Sequence, residues 1–245
     1  MTQTAVQLYS LRDLDESLPS VIERVGETTF DGVEFANRVP DADVDEIERA
    51  LDQTGLTPAG AHVGLETLET DLSETVERYS RFGCDTFVVP YLDGDHFESL
   101  EAVESTADRL SAVASDLAAH GVDLHYHNHD HEFVACGDQT AMEALLERTD
   151  DAVGFELDLG WANVGGVDPV AFLERYADRV SFVHLADAEV GAGTPTELGE
   201  GDLDLENCLD AVGRAGIEWG IYEHDQPTDP IQSLSHGAET LEQLR

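Results

Sequence analysis

The chain has 245 residues, 53 of them acidic and 12 basic, for a formal net charge of −41. All twelve basic residues are arginine, and so acidic a surface argues against nucleic acid as a partner, since phosphate binding depends on basic patches. Three widely spaced cysteines with no CxxC pair argue against a disulfide framework or a structural zinc site.

Short β-like runs alternate with amphipathic helical stretches from end to end. The strands are expected at Thr4–Leu8, Gly32–Ala36, Pro58–Val63, Thr86–Val89, Val122–His127, Ala152–Asp158, Val180–Leu185 and Ile217–Glu223. The helices are expected at Asp15–Glu27, Asp43–Gln53, Leu68–Phe82, Glu98–His120, Thr140–Arg148, Asp168–Tyr176, Leu205–Ala215 and Pro230–Leu244. Gly26, Gly55, Gly83, Gly121 and Gly216 fall at helix exits, where a left-handed cap is wanted. Strict alternation of eight strands with eight helices predicts an α/β fold, a single-domain (β/α)8 TIM barrel over residues 1–245. No linker or composition shift divides the chain. Gln7-Leu8-Tyr9-Ser10 stands where a dinucleotide fold would carry GxGxxG.

Alternate side chains of a strand share one face. Val153, Phe155 and Leu157 face the helices, which turns Gly154, Glu156 and Asp158 inward. By the same rule Asp123, His125 and His127 face inward, as does Glu34 between Val33 and Phe35. Ionisable groups therefore gather near the strand ends: Glu34, His62, His127, Glu156, Asp158, His184 and Glu223. Such groups need partners or a cation when buried, and barrel active sites form at the C-terminal strand ends. Mixed carboxylate and imidazole donors suit Mn²⁺, Mg²⁺, Co²⁺ or Zn²⁺.

Asp158, His184 and Glu223 end three successive strands and are the expected metal ligands. Glu156 lies roughly 6–7 Å deeper than Asp158, as a further ligand or as a partner to one. A lone strand histidine such as His62 also fits a satisfied core residue, and Glu34 also fits an ion pair with Arg12 or Arg38. The run Leu124–Phe133 holds four histidines; His127, then His129 and Glu132, are its candidates for the site, with His125 too deep and His131 in the loop. Trp161 and Tyr9 suit either the wall of a substrate pocket or the core. Glu34, His62, His129, Glu132 and Trp161 are thus the candidate substrate-binding residues.

The segments QLYSLRD, GVEFA, AHVGLE, VVPYL, YHNHDHEF, GFELDLGWANVGGVDP, VHLAD, ELGEGDLDL and YEHD occur in this order. Together they resemble the sugar phosphate isomerase/epimerase family of xylose isomerase-like TIM barrels, over nearly the whole chain. The resemblance implies a divalent cation at the barrel mouth, with Asp158 of ELD, His184 of HLAD and Glu223 of YEHD as ligands. Relatives with isomerase activity commonly supply a fifth-strand glutamate as ligand and base; here His127 holds that place. Ala186 stands where relatives carry the lysine of HLKD.

The expected activity is metal-dependent proton transfer next to a carbonyl in a sugar, keto-sugar or polyol derivative, as in an isomerase or epimerase. A metal would stabilise the enediolate, with one of Glu156, Glu223 or His127 removing the proton and another returning it. The same apparatus serves a dehydratase or a lyase for oxidised glycosides. A phosphodiesterase is opposed by the charge. A non-catalytic barrel that binds sugar or metal is the remaining alternative.

The opening MTQTAVQLYS carries no leader-like apolar stretch, and no apolar run is long enough for a bilayer, so a soluble cytoplasmic protein is expected, compatible with a homo-oligomer. Acidic blocks such as Asp41–Glu46 sit among apolar periodicities, on outer helix faces rather than in a tail. Self-repulsion of this size destabilises a compact state in dilute buffer and salt screens it, so a halophilic protein is expected. Raising KCl from about 0.1 M to about 2 M should raise Tm, because the Debye length falls below about 3 Å. A Tm that stays flat or falls over that range contradicts salt adaptation.

Overall fold

Runs rich in β-branched and aromatic residues form eight parallel strands in the computed structural model, which describes residues 2–36 and 38–243. They are β1 (Gln3–Gln7), β2 (Gly32–Phe35), β3 (Thr57–His62), β4 (Thr86–Val89), β5 (Asp123–His127), β6 (Val153–Asp158), β7 (Val180–Leu185) and β8 (Trp219–Tyr222). Each strand pairs with its neighbours in sequence, and β1 closes on β8 through Gln3 to Val6 against Trp219 to Tyr222. This is the expected (β/α)8 barrel. Among the described residues, no helix is long and apolar enough to cross a membrane.

The helices are α1 (Leu18–Val25), α2 (Val44–Thr54), α3 (Leu65–Thr70), α4 (Leu72–Ser80), α5 (Leu100–Ala118), α6 (Ala141–Arg148), α7 (Leu159–Val164), α8 (Pro169–Tyr176), α9 (Leu205–Ala215) and α10 (Pro230–Gln243). Their starts follow from capping: Ser99 accepts the Ala102 N–H, and Thr140 and Glu143 form a reciprocal capping box. The helix expected over Leu68–Phe82 is two helices that meet at Asp71, which has left helical geometry (φ −128°, ψ 26°). The last expected helical residue, Leu244, lies outside the described residues. Left-handed glycines end helical runs at Gly55, Gly83, Gly121 and Gly216. Gly26 differs: its φ is −61°, and it is small for packing, since a Cβ there would lie 2.4 Å from the Thr54 methyl at the end of α2.

Two cores result. The larger fills the space between strands and helices, with Ile22, Ile47, Leu110 and Phe155 fully buried. The smaller lies inside the barrel and consists of Ala5, Ala59, Phe182, Trp219 and Ile221. It plugs the N-terminal half of the cylinder, so the interior that remains for polar groups is at the C-terminal half. Ion pairs staple the outer helices to one another: Arg109–Glu69 (2.8 Å), Arg148–Glu104 (3.1 Å), Arg175–Glu143 (2.5 Å) and Arg214–Glu174 (2.7 Å). Each is exposed and worth little alone, but together they spend four of the twelve arginines on joining neighbours.

The loop after β7 has its own order. A hairpin pairs Asp187–Glu189 with Thr194–Thr196, and the buried Asp187 carboxylate accepts N–H groups from Ala188, Gly199, Gly201 and Leu203. One side chain thus satisfies four backbone donors that a loop would otherwise leave to water.

Inside the barrel, Gly154 makes room for the His125 ring: a Cβ at Gly154 would lie 2.2 Å from His125 Cδ2. Gly154→Ala should cost roughly 1–3 kcal/mol, the usual penalty for overpacking a core. His125→Ala in the same chain should recover most of that loss, measured by denaturant unfolding of both single variants and the double variant. Additive losses in the double variant contradict the contact.

Candidate active site

Polar side chains converge above the apolar plug. Glu34 on β2 is fully buried; its Oε2 accepts the Gln7 amide at 2.7 Å and lies 2.8 Å from His184 Nε2. Neither expected arginine pairs with it: Arg38 donates to the Leu14 and Glu16 carbonyls, and Arg12 to those of Tyr9 and Asp225. His62, at the end of β3, lies 3.1 Å from Glu156 Oε2 and 3.3 Å from Glu34 Oε2. His127, at the end of β5, places Nδ1 3.2 Å from the same Glu156 oxygen.

His184 on β7 is the hub. Its Nε2 faces Glu34 and Glu156, and its Nδ1 lies 2.8 Å from Glu223 Oε2 and 4.0 Å from Asp158 Oδ2. Glu223 follows directly on β8, which ends at Tyr222, one residue short of the expected strand. Asp158 ends β6 and caps α7, its Oδ1 accepting the Trp161 N–H at 2.6 Å.

Burial and charge act against each other here. Burial raises the Asp158 carboxyl well above the ordinary range. At Glu223 burial also favours the neutral form, but the His184 charge and hydrogen bond outweigh it and bring the group down to about 2. At His62 burial disfavours the cation, yet Glu34 and Glu156 overcome it and push the imidazole up to about 10. His129, buried and beside His127, is held down to about 3.

Among the described residues, three carboxylate oxygens are buried without a hydrogen-bond partner: Glu34 Oε1, Glu156 Oε1 and Asp158 Oδ2. An unpaired buried carboxylate oxygen is costly unless a cation meets it. Two sets of donors lie within 4.8 Å of one another: His127, Asp158, His184 and Glu223, and His62, His127, Glu156 and His184. Nitrogen and carboxylate donors at this spacing fit a divalent cation of the Mn, Co or Zn kind. The expected ligands Asp158, His184 and Glu223 share one set; Glu156 falls in the other, one layer deeper.

A cleft of about 880 Å³ opens above this cluster, lined by His62, His127, His129, Glu223, Asp225 and Tyr9 among others. His129 stands at its wall, with its ring stacked on Trp161 and the edge of Tyr91 against it. Trp161 itself sits behind His129 in an adjoining hollow. Glu132 is elsewhere: fully buried, it accepts the Tyr126 hydroxyl at 2.6 Å and the His129 N–H at 2.9 Å, so it holds the loop and not the cleft.

Three residues of the site escape a reading of strand faces. Asn128 clips β5 to β6, accepting the Asp158 N–H at 3.0 Å and donating to the Asp158 carbonyl at 3.3 Å. Gln7 anchors Glu34. Asp225 lines the cleft, accepts the Trp161 indole N–H at 3.1 Å, and is raised to about 6 by burial and then by Glu223. Their places in YHNHD, QLYS and YEHD are the only sequence signal for them.

Comparisons with known proteins agree with this architecture. The chain is 25% identical over 236 residues to the inosose dehydratase of Clostridium beijerinckii, covering 80% of this chain and 78% of that one. It is 24% identical over 263 residues to the inosose dehydratase of Clostridium botulinum, covering 91% and 87%. A sugar phosphate isomerase/epimerase from Parabacteroides distasonis superposes with a TM-score of 0.83 at 20% identity, over 99% of this chain and 94% of that one, a likeness of fold. The model of one family matches residues 22–244, and by that match, on a closed eight-stranded barrel, the chain belongs to the xylose isomerase-like TIM barrel family.

Proposed function

We propose that the protein is a divalent-metal-dependent enzyme that moves a proton at a carbon next to the carbonyl of a sugar-like ketone, as an isomerase or epimerase. The observation that carries this is the convergence of Asp158, His184 and Glu223 below a cleft large enough for a sugar, with Asp158 Oδ2 left unpaired. These three residues would hold the cation. When bound there, the cation supplies positive charge to the oxygen that becomes anionic as the carbon loses its proton.

The chain's own groups do the rest. Glu223 and His127 reach the cleft, whereas Glu156 is sealed beneath them. Glu223, a carboxylate that borders the cleft, takes the proton from carbon. His127 keeps Nδ1–H against the Glu156 carboxylate, so the protonated ring returns its proton from Nε2 and is left neutral. The two stand at the ends of β8 and β5, with β6 and β7 between them, on different flanks of the mouth. A proton removed on one flank and returned on the other inverts the carbon, which is epimerisation. Tyr9, Tyr91 and His129 supply ring faces and edges for the sugar, and Asp225 accepts a hydroxyl.

The inosose dehydratases among the relatives favour a second reading at the same site. Glu223 takes the proton as before, the hydroxyl on the next carbon leaves with a proton from His127 as water, and a carbon–carbon double bond forms.

Metal-loaded protein incubated with keto-sugars and cyclic polyol ketones in D2O should place deuterium at the carbon beside the carbonyl. An enone absorbance growing in step identifies elimination. Glu223→Gln should slow exchange by about 10²–10⁴-fold. Exchange at the wild-type rate in that variant contradicts Glu223 as base, and no exchange across a broad panel with ligand binding retained contradicts an enzyme.

Asp158→Asn should lower metal content while circular dichroism stays unchanged. Full metal occupancy in both Asp158→Asn and Glu223→Gln contradicts the ligand assignment.

A further inference from the structure

Below the upper ligands lies a second group of donors, two of which, His62 and Glu156, the proposed chemistry leaves without a task. Glu156 Oε2 is met by three imidazole nitrogens at nearly equal distance: His62 Nε2 at 3.1 Å, His184 Nε2 at 3.1 Å and His127 Nδ1 at 3.2 Å. Four donors bound at about 2.0–2.1 Å to a tetrahedral cation lie about 3.3 Å from one another; the three distances from Glu156 Oε2 are close to this, and all four donors lie within 4.8 Å of one another. The four side chains come from β3, β5, β6 and β7, so the barrel backbone fixes their positions.

Charge points the same way. Glu34, Glu156, Asp158 and Glu223 bring four carboxylates into a volume where each is at most 5% exposed. Among the described residues, no arginine forms an ion pair or hydrogen bond with any of the four side chains. The His62 and His184 imidazoles answer part of that charge, yet Glu34 Oε1 and Glu156 Oε1 remain buried and unpartnered on the deep side.

His184 touches both levels, with Nδ1 toward Glu223 and Asp158 and Nε2 toward Glu156. We propose that the barrel mouth binds two divalent cations bridged by the His184 imidazole. The upper one sits on Asp158, Glu223 and His184 Nδ1; the deeper one sits on His62, His127, Glu156 and His184 Nε2. The inference rests on the reading of the upper group as a cation site and adds the deeper one. Both nitrogens of His184 then give lone pairs to cations, so the ring releases its protons on loading. The deep set, with three nitrogens and one carboxylate, selects Zn²⁺ or Co²⁺ over Mg²⁺. The upper set, with three protein ligands, keeps positions open for substrate oxygens.

The test is a stoichiometry. Protein stripped with chelator in high salt is saturated with Co²⁺, passed through a desalting column and analysed for cobalt per chain. The expected result is two in the wild type, one in His62→Gln and one in Asp158→Asn, with circular dichroism reporting that each variant is folded. One cobalt per wild-type chain overturns the second site; if it survives His62→Gln and is lost in Asp158→Asn, the upper site stands alone. No cobalt in the wild type overturns both.

Discussion

Four carboxylates buried at one end of a closed barrel set the terms for the rest of this molecule. Water cannot solvate Glu34, Glu156 and Asp158 and meets Glu223 only at the cleft, so the protein must answer most of their charge from within. It does so in part with dipoles, from the Gln7 amide and the Trp161 N–H, and in part with the His184 and His62 imidazoles. Oxygens remain that no donor meets, and their grouping with ring nitrogens is what a cation requires. A cluster of this kind is expensive to keep without a function for its charge.

The barrel makes the cluster affordable by confining it. Phe182, Trp219 and Ile221 fill the lower interior, and Gly154 lets the His125 ring pack against that plug, nearly perpendicular to the Phe182 ring. Above it, each ionisable group sits at or near a strand end, where backbone hydrogen bonds to two neighbours hold it. The Asn128 clip across β5 and β6 then fixes where Asp158 begins α7. Loops carry less of the charge and more of the wall: Asp187 draws the β7 loop together through four backbone N–H groups, and Glu132 ties the His129 backbone to Tyr126. The site is therefore held by strand ends at its floor and by tied loops at its rim.

Strand periodicity made much of this legible in advance. With a period of two, Phe155 facing the helices compels Glu156 and Asp158 to face inward, and the same rule placed Glu34, His127 and His184. The helix count was harder, because α7 is only six residues and begins on the catalytic-looking Asp158 itself, leaving no apolar stripe to read. The split at Asp71 likewise lies inside one amphipathic run. Asn128, Gln7 and Asp225 act through contacts between segments distant in sequence, which no local pattern records. Glu132 shows the converse: its neighbours in a histidine-rich tract suggested the site, while its side chain turned back to cap a tyrosine.

Membership in the xylose isomerase-like family accords with a barrel whose ionisable groups gather at strand ends, and the proton transfer proposed for it needs a base, an acid and stabilised negative charge. The central claim is that one cation joins Asp158, His184 and Glu223. Anomalous X-ray diffraction from crystals soaked in Co²⁺ tests it most directly. The account predicts an anomalous peak within bonding distance of Asp158 Oδ2, Glu223 Oε2 and His184 Nδ1. A map whose cobalt lies only on surface carboxylates, with this cluster hydrogen-bonded and bare, would contradict it.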